Sequence, residues 1–298
     1  MPIKYWFFIF LLAAGWGSSF FFNEILLREL GPMWVALGRV GMGAIGCWLW
    51  MFATRMNLSL PKVSLGVLIA FAFFQYSFPL AVYPLAQQYI TSSAAGIVNA
   101  MTPIMVVLVS HFWPQGERAT VQKFIGVILG FAGITLLAQP SIKGQGASDP
   151  IAVLLTISAP VSYGVALNLL RRLDSVDRVS LTAWSATIGA VLLFPLTFGL
   201  EGMPTITKIE TWAALLFIGF VLTSAAFILL FWLIPRVGGT TASTITFLAP
   251  ISSVLLGVYI LSEVLFPIQF VGIAVIFSGL LFIDGRLLKW LKVSQPNG

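Results

Sequence analysis

The feature that most constrains this chain is a succession of long apolar segments, each close to the roughly 20 residues that cross a bilayer as a helix. Windows bounded by charges and by Pro, Gly or Asn predict ten spans, at about 3–22, 32–53, 64–85, 91–113, 121–139, 151–170, 179–199, 209–234, 240–261 and 267–287. Only 9% of the 298 residues are charged, whereas a soluble domain carries roughly a quarter. The chain is therefore predicted to be an all-α integral membrane protein with the lipid bilayer as its solvent.

The connections between the predicted spans are short, and none has room for a second, aqueous domain. The longest polar stretch, from Pro140 to Pro150, has the length of a linker. Lys4 followed by an apolar run also fits a secretory signal peptide, but nine further spans follow it. We therefore expect the first segment to remain as a span.

The positive charges predict the orientation, because cytoplasmic loops of membrane proteins carry an excess of Lys and Arg. With both termini in the cytoplasm, twelve of the sixteen cations fall on the inner side: Lys4, Arg55, Lys62, Arg118, Lys123, Arg171, Arg172, Arg178, Arg236, Arg286, Lys289 and Lys292. Only Arg28, Lys143 and Lys208 fall outside, and Arg39 lies within a span. We predict a multi-pass protein of the inner (plasma) membrane with cytoplasmic termini. The net charge of +6 thus reports orientation and does not indicate a nucleic-acid partner.

The two halves of the chain match each other at an offset of 147 residues. This offset places Gly15-Trp16-Gly17 over Ser162-Tyr163-Gly164, and the run from Ser93 to Pro103 over the run from Thr240 to Pro250. After a slip of one residue, Glu117 meets Glu263, and two glycines of the fifth span meet two of the tenth.

Each half therefore holds five spans, and an odd number makes the second copy enter the membrane from the opposite side. We predict ten transmembrane helices as two inverted five-helix repeats. The first repeat covers 1–140, a linker 141–150, the second repeat 151–290, and a cytoplasmic tail 291–298.

These features in this order resemble the drug/metabolite transporter superfamily, in particular its EamA-type branch, over nearly the whole chain. The matching residues are Trp16, Gly17, Ser18, Pro103, Pro250, Glu117, Glu263, and the glycines 126, 130, 133, 272 and 279. The resemblance implies export or exchange of amino acids, nucleobases, sugars or related metabolites across the inner membrane. It also implies a central cavity lined mainly by helices 1, 3, 4, 6, 8 and 9. It selects neither one substrate nor an oligomeric state, so monomer and homodimer both stay open.

Catalytic, cofactor and metal-binding patterns are missing from the sequence. Gly41, Gly43 and Gly46 match the dinucleotide fingerprint as a string but lie mid-span, where each N–H is already bonded, so close helix packing is their expected role. The chain has no Walker-type phosphate loop, and His111 and Cys47 are its only histidine and cysteine. We expect no enzyme, no cofactor and no metal site.

Ionisable residues within the membrane invite explanation, because a charge there is costly. Arg39 lies in the outer third of the second span, either as an anchor for a substrate carboxylate or, as we favour here, in a structural pair with Glu24 or snorkelling to the interface. Glu24 stands at the end of the first span, where water reaches it. Glu117 and Glu263, at span ends, are predicted to be structural or gating residues.

Uncharged polar residues within the spans form the set that a substrate pocket needs. The predicted substrate-binding residues are Trp16, Gln75, Tyr76, Tyr83, Asn99, Tyr163, Asn168 and Thr246. The alternative interpretation is hydrogen bonding between helices, or an interfacial aromatic belt for Trp and Tyr near span ends. Pro103 and Pro250 occupy equivalent places in the fourth and ninth spans, and we expect each to kink its helix at a gate.

Taken with the resemblance, this chemistry favours a secondary transporter of small neutral or zwitterionic metabolites, with amino acids first and export as the expected direction. A phosphate-bearing substrate would need several buried cations, and the chain offers one. The alternatives are a multidrug exporter, or a carrier of nucleobases or sugars. From other classes, a membrane-embedded enzyme lacks a catalytic constellation, and a scaffold gives no reason for inverted symmetry.

Overall fold

The structure is a computed structural model that describes residues 2–143 and 148–284. The described part is a bundle of helices without strands: α1 (Ile3–Leu26), α2 (Pro32–Ala53), α3 (Leu65–Gln87), α4 (Ser92–Phe112), α5 (Val121–Ile142), α6 (Pro150–Leu173), α7 (Arg178–Glu201), α8 (Ile209–Val237), α9 (Thr244–Tyr259) and α10 (Pro267–Asp284). Nine helices of this part are long and apolar enough to cross a membrane, and α9, with 16 residues, is shorter. A short helix, Gly239–Ala242, precedes α9.

Each predicted span contains one of these helices, and the described ends agree within four residues. The first helix continues to Leu26, so Glu24 lies in the last turn of α1. Helix α5 continues to Ile142 and α6 begins at Pro150, on either side of the predicted linker. Residues 144–147, the end of the tenth span, the cations Arg286, Lys289 and Lys292, and the tail 291–298 lie outside the described residues.

Two helices change from α to π geometry in their middle. In α3 the π segment is Phe73–Ser77, directly before Pro79, which has no N–H to donate and whose ring disturbs the turn before it. In α8 the π segment is Phe217–Ala225. There the hydroxyl groups of Thr223 and Ser224 donate to the carbonyl oxygens five residues earlier (2.9 and 3.2 Å), which supports the wider turn.

The fourth helix is interrupted, and Pro103 does not act as an internal kink. Helix α4 consists of Ser92–Asn99 and Thr102–Phe112, so Pro103 lies in the first turn of the second piece, where its missing N–H is not needed. Pro250 differs because it lies inside α9, which continues through it. The predicted kink at Pro103 is thus replaced by a break at residues 100–101.

Glycines allow helices α5 and α10 to pack closely against each other. A methyl group added to Gly126 would come within 2.6 Å of the Gly279 carbonyl oxygen, and one on Gly133 within 2.7 Å of the Gly272 carbonyl oxygen. The helices are antiparallel, because a later position in α5 (Gly133 after Gly126) contacts an earlier position in α10 (Gly272 before Gly279). Helices α1 and α9, α4 and α6, and α2 and α7 also pack along each other.

Helix direction alternates, so the connections lie on two faces of the bundle. Residues 27–31, 88–91, 148–149, 202–208 and 260–266 form one face, called here the predicted outer face. Its loops contact one another, since the Asp149 N–H donates to the Tyr89 carbonyl oxygen (2.7 Å) and the Thr91 N–H to Ser148 Oγ (3.0 Å). The connections at 54–64, 113–120 and 174–177 form the opposite face. Between the faces, large apolar side chains such as Ile45 and Val191 are exposed, as lipid contact requires.

Candidate substrate site and transport path

Arg39 of α2 lies at the centre of the polar chemistry in the bundle. Its Nη2 donates to Ser19 Oγ of α1 (3.2 Å), and its Nε lies 3.4 Å from Thr223 Oγ1 in the π segment of α8. Both hydroxyl residues are buried. The side chain therefore points into the bundle between α1 and α8, and it does not reach Glu24 or the interface, the two arrangements favoured from the sequence.

A tyrosine and an asparagine meet beside Arg39. The Tyr83 hydroxyl of α3 donates to Asn99 Oδ1 of α4 (2.8 Å), and the Tyr83 ring packs edge-on against Phe20 of α1. Asn99 is the last residue before the break in α4, so its side chain lies where the helix is interrupted. The structure thus brings Tyr83 and Asn99, two of the predicted substrate-binding residues, into direct contact.

Tyr163 of α6 completes this polar cluster. Tyr163 packs against the buried cluster that contains Tyr83, and both phenol groups lie within electrostatic range of the Arg39 guanidinium. Arg39, Asn99 and Tyr163 keep part of their surface accessible, although the groups they contact are interior. We define Arg39, Ser19, Tyr83, Asn99 and Tyr163 as the central polar cluster; it joins α1, α2, α3, α4 and α6.

The other predicted residues of helix α3 lie in its π segment. Tyr76 is buried, near Thr182 and Ser185 of α7, and its ring contacts Phe227 of α8. Gln75 is half-buried, and its side chain makes no hydrogen bond within residues 2–143 and 148–284. Tyr76 therefore faces α7 and α8, about two turns from Tyr83 of the central polar cluster along the same helix.

The remaining predicted residues have different surroundings. Trp16 Nε1 donates to the Leu222 carbonyl oxygen (3.1 Å), which ties α1 to the π segment of α8. Asn168 is buried and exchanges hydrogen bonds with Ser110 (2.9 and 3.2 Å), which joins α6 to α4. Thr246 is half-buried near the start of α9. Asn168 therefore forms hydrogen bonds between helices, which was the alternative interpretation of the polar residues within the spans.

A second polar layer lies one helical turn beyond the cluster toward the predicted outer face. Asn23, four residues after Ser19 on α1, donates from Nδ2 to Gln87 Oε1 of α3 (2.9 Å), and Gln87 Nε2 donates to the Phe20 carbonyl oxygen (2.8 Å). Asn23 Oδ1 is buried without a hydrogen-bond partner in the described part, which is rare and costly.

Beyond this layer a polar cavity of about 390 Å³ opens on the predicted outer face. Its walls include Glu24, Arg28, Gln87, Thr91 and Glu263. Because Gln87 belongs both to the second layer and to this wall, polar groups continue from Arg39 to the cavity. This column of hydrogen-bonding groups is the candidate transport path.

Two larger cavities, each of about 590 Å³, are apolar and lie away from the column. One lies between α2 and α8 and is lined by residues such as Leu49 and Trp50, which are exposed on the side of the bundle. The other lies among α1, α8 and α9 and includes Gly15 and Phe217. Their apolar walls suit lipid chains, so polarity and not size identifies the candidate path.

Carboxylates on the predicted outer face bind the first N–H groups of helices in the other half of the chain. Glu263 accepts from the N–H groups of Ser92 and Ser93 at the start of α4 (2.7 and 3.0 Å). Glu201, the last residue of α7, accepts from the N–H groups of Met33 and the next residue in α2 (2.9 and 3.1 Å). Negative charge at a helix N-terminus is stabilising.

Glu29 makes a third contact of this kind, from the first half of the chain to α8. It accepts from the N–H groups of Thr207 and Lys208 (3.3 and 3.2 Å) and from the hydroxyl groups of Thr207 and Thr211. These hydrogen bonds, with that of the Thr207 hydroxyl the strongest, lower the pKa of Glu29 from 4.5 to about 2. Glu24 differs, because it accepts no hydrogen bond in the described part.

Glu117, which the sequence repeat aligns with Glu263, makes a different contact on the opposite face. Its side chain is 63% exposed and pairs with Lys123 of its own half. It contacts no helix N-terminus among the described residues. The three carboxylates that join the halves, Glu29, Glu201 and Glu263, therefore all belong to one face.

Sequence reasoning missed Ser19, Thr223, Asn23 and Gln87. A signal was present, because Ser19 and Asn23, like Tyr83 and Gln87, are four residues apart and so share one helix face. Thr223 had no such signal, since its position depends on the π segment of α8.

Comparison with known proteins identifies the family. The EamA-like transporter family matches residues 3–139 and 150–284. This chain belongs to the EamA-like transporter family. It is a multi-pass membrane transporter and not an enzyme, as the sequence predicted.

The most informative relatives are similar over most of their length. The chain is 24% identical over 246 residues to "Uncharacterized transporter YoaV" of Bacillus subtilis, with 81% of this chain and 83% of the relative covered. It is 23% identical to the "Probable amino-acid metabolite efflux pump" of Escherichia coli, with 95% of each covered. A solved crystal structure covers 97% of this chain and 99% of its own, with a TM-score of 0.66 at 19% identity. This last likeness concerns the fold alone.

Proposed function

We propose that this EamA-family protein is a secondary transporter of small zwitterionic or neutral metabolites, with amino acids first, and that it exports them across the inner membrane by alternating access. The observation that carries the proposal is the polar column from Arg39 through Tyr83 and Asn99 to the cavity at Glu24 and Gln87. Its groups are mostly uncharged hydrogen-bond donors and acceptors, which suit a small polar solute.

The chemistry of the column also separates the substrate classes. A phosphate-bearing solute needs several cations, and Arg39 is the one cation of the central polar cluster. A cationic drug needs an acid, and the described cluster contains none. The relative in Escherichia coli that is named for amino-acid metabolites supports the same choice, although its name describes that protein.

Counterflow in liposomes tests the proposal. Purified protein is reconstituted in liposomes loaded with an unlabelled solute, and entry of the labelled form is measured for amino acids, nucleobases, sugars and cationic dyes. We expect saturable exchange of amino acids that empty liposomes lack. Exchange of nucleobases or sugars without amino acids would contradict amino acids as the substrate class and would favour the alternative, a carrier of nucleobases or sugars.

Multidrug export is the second candidate, favoured by one observation. The apolar cavity of about 590 Å³ among α1, α8 and α9 is large enough for an apolar drug. Saturable exchange of the cationic dyes in the same liposomes, competed by apolar drugs and not by amino acids, would establish this function in place of the first.

A further inference from the structure

The guanidinium of Arg39 carries a charge for which the described part of the chain supplies no counter-ion. The ion pairs within residues 2–143 and 148–284 are Lys123 with Glu117 and Arg178 with Asp174, both near the surface. The hydrogen-bond partners of Arg39, Ser19 and Thr223, are neutral hydroxyls. A charge held in the bundle interior by neutral groups alone is strongly destabilised unless an anion joins it.

The geometry leaves the binding edge of this guanidinium available. Of its five N–H donors, the contacts with Ser19 and Thr223 use one on Nη2 and the one on Nε. Both terminal nitrogens therefore keep N–H groups without a described protein acceptor. Part of the side chain also remains accessible. Two such N–H groups match the two oxygens of a carboxylate.

Neighbouring groups can receive the other end of a zwitterion. Asn99 Oδ1 accepts from the Tyr83 hydroxyl and retains a second lone pair. The Tyr163 hydroxyl is a further electrostatic neighbour of Arg39. An ammonium group placed among these oxygens would lie close to the guanidinium-bound carboxylate, which is the arrangement within one α-amino acid.

We propose that Arg39 binds the carboxylate of the transported solute, and that Tyr83, Asn99 and Tyr163 receive its ammonium group. This inference rests on the proposed function and narrows it to solutes with a carboxylate. It also replaces the expectation from the sequence that Arg39 is a structural residue. The interactions with Ser19 and Thr223 orient the guanidinium between α1 and α8, so that both helices sense the bound anion.

The test uses the amino acid with the largest counterflow, its amide, which lacks the carboxylate, and its N-acetyl derivative, which keeps it. In the wild type we expect the amide to compete about 30-fold or more weakly than the amino acid, as expected for a lost partner of a buried charge. Arg39→Gln should raise the half-saturation concentration by a similar factor and abolish the preference for acid over amide. Arg39→Lys should keep part of this preference.

Arg178→Gln is the matched control, since it removes an arginine that pairs with Asp174 at the surface, and it should transport like the wild type. Equal competition by amide and acid in the wild type overturns the inference even if Arg39→Gln does not fold. The inference is also overturned if Arg39→Gln folds and transports with the wild-type half-saturation concentration.

The failure of the inference can be told from that of the proposed function. If the N-acetyl derivative is exchanged in an Arg39-dependent manner and amino acids are not, the proposed function fails and the carboxylate site stands. If only nucleobases or sugars are exchanged, equally well by Arg39→Gln, both are overturned.

Discussion

Asn99 and Asn168 are both membrane-embedded amides, but only Asn99 keeps accessible surface in the central polar cluster. Replacing Asn99 or Tyr163 by Ala should raise the half-saturation concentration for transport or abolish flux in the folded protein, although Asn99→Ala also removes the hydrogen-bond acceptor of the Tyr83 hydroxyl. Asn168→Ala should act on stability, because it leaves the buried Ser110 without its partner, at a cost of about 1–3 kcal/mol. Counterflow and thermal unfolding of the three variants measure the difference. Unchanged kinetics in both Asn99→Ala and Tyr163→Ala would remove these residues from the site.

The hydrogen bonds of Glu29 predict that the folded protein loses stability at acidic pH. Its pKa is lowered from 4.5 to about 2 in the folded protein, so its stabilising effect is complete above pH 4.5 and is lost as the pH falls toward 2. Glu29→Gln should therefore lower the Tm at pH 7, and its difference from the wild type should shrink over that acid range. The neighbouring Glu210, exposed and without a hydrogen bond in the described part, provides the control Glu210→Gln. A difference in Tm that does not depend on pH would contradict this assignment.

At the scale of the helix, glycines of α5 and α10 set how closely the two helices approach. Gly126→Ala and Gly133→Ala should each destabilise the protein by about 1–3 kcal/mol, because the added methyl group meets a backbone carbonyl that cannot turn away. Gly199→Ala in α7 is the matched control, since nothing lies within 4 Å of its added methyl group. It should be neutral or stabilising, because Ala favours a helix over Gly. Thermal unfolding followed by tryptophan fluorescence measures both, and equal effects would contradict the packing argument.

The helices themselves could be predicted because the bilayer leaves few alternatives. An apolar run of about 20 residues must form a helix to satisfy its backbone, and the described ends fall within four residues of the predicted ones. The interruptions of the helices could not be predicted, because the π segment of α8 and the break before Thr102 depend on local hydrogen bonds of hydroxyl groups and on packing. The carboxylate contacts between halves were also missed, because they join residues such as Ser92 and Glu263, 171 positions apart.

The same reasoning explains the uneven result at the site. Mid-span polarity was enough to find Tyr83, Asn99 and Tyr163. It could not separate them from Asn168, because a satisfied amide and an available one look the same in a sequence. The sequence also showed that Arg39 lies within a span. Only its contacts with α1 and α8 in the structure showed that its described partners are neutral hydroxyl groups and not acids.

For the whole molecule, the bias of twelve inner cations to three outer ones predicts that both termini are cytoplasmic. A reporter protein fused after Gly298 should be active only in its cytoplasmic form, and a fusion within the connection at 202–208 only in its external form. The reverse pattern would contradict the orientation and would turn the cavity at Glu24 toward the cytoplasm. The internal two-fold relation of 3–139 with 151–287 stays a prediction, which the paired Gly126–Gly279 and Gly133–Gly272 contacts support.

The predicted symmetry relates Glu117 to Glu263, and this relation has a measurable consequence. Glu263 binds the start of α4, and the predicted repeat would give Glu117 the same relation to the start of the ninth span in the other conformation. We expect Glu263→Gln to increase labelling of cysteines introduced on the predicted outer face, and Glu117→Gln to decrease it. Equal labelling in both variants would show that neither carboxylate biases the conformation.

Suppose that the contact of Glu117 forms as that of Glu263 breaks. The number of helix ends bound by these two carboxylates is then the same in both conformations. The exchange of these two contacts would then add little to the free-energy difference between the two conformations, so it would not hold the empty protein in either one. Such a protein has no preferred direction of its own. Net flux would follow whichever concentration gradient the cell maintains, so an exporter in a cell rich in the solute would become an importer in a vesicle loaded the other way.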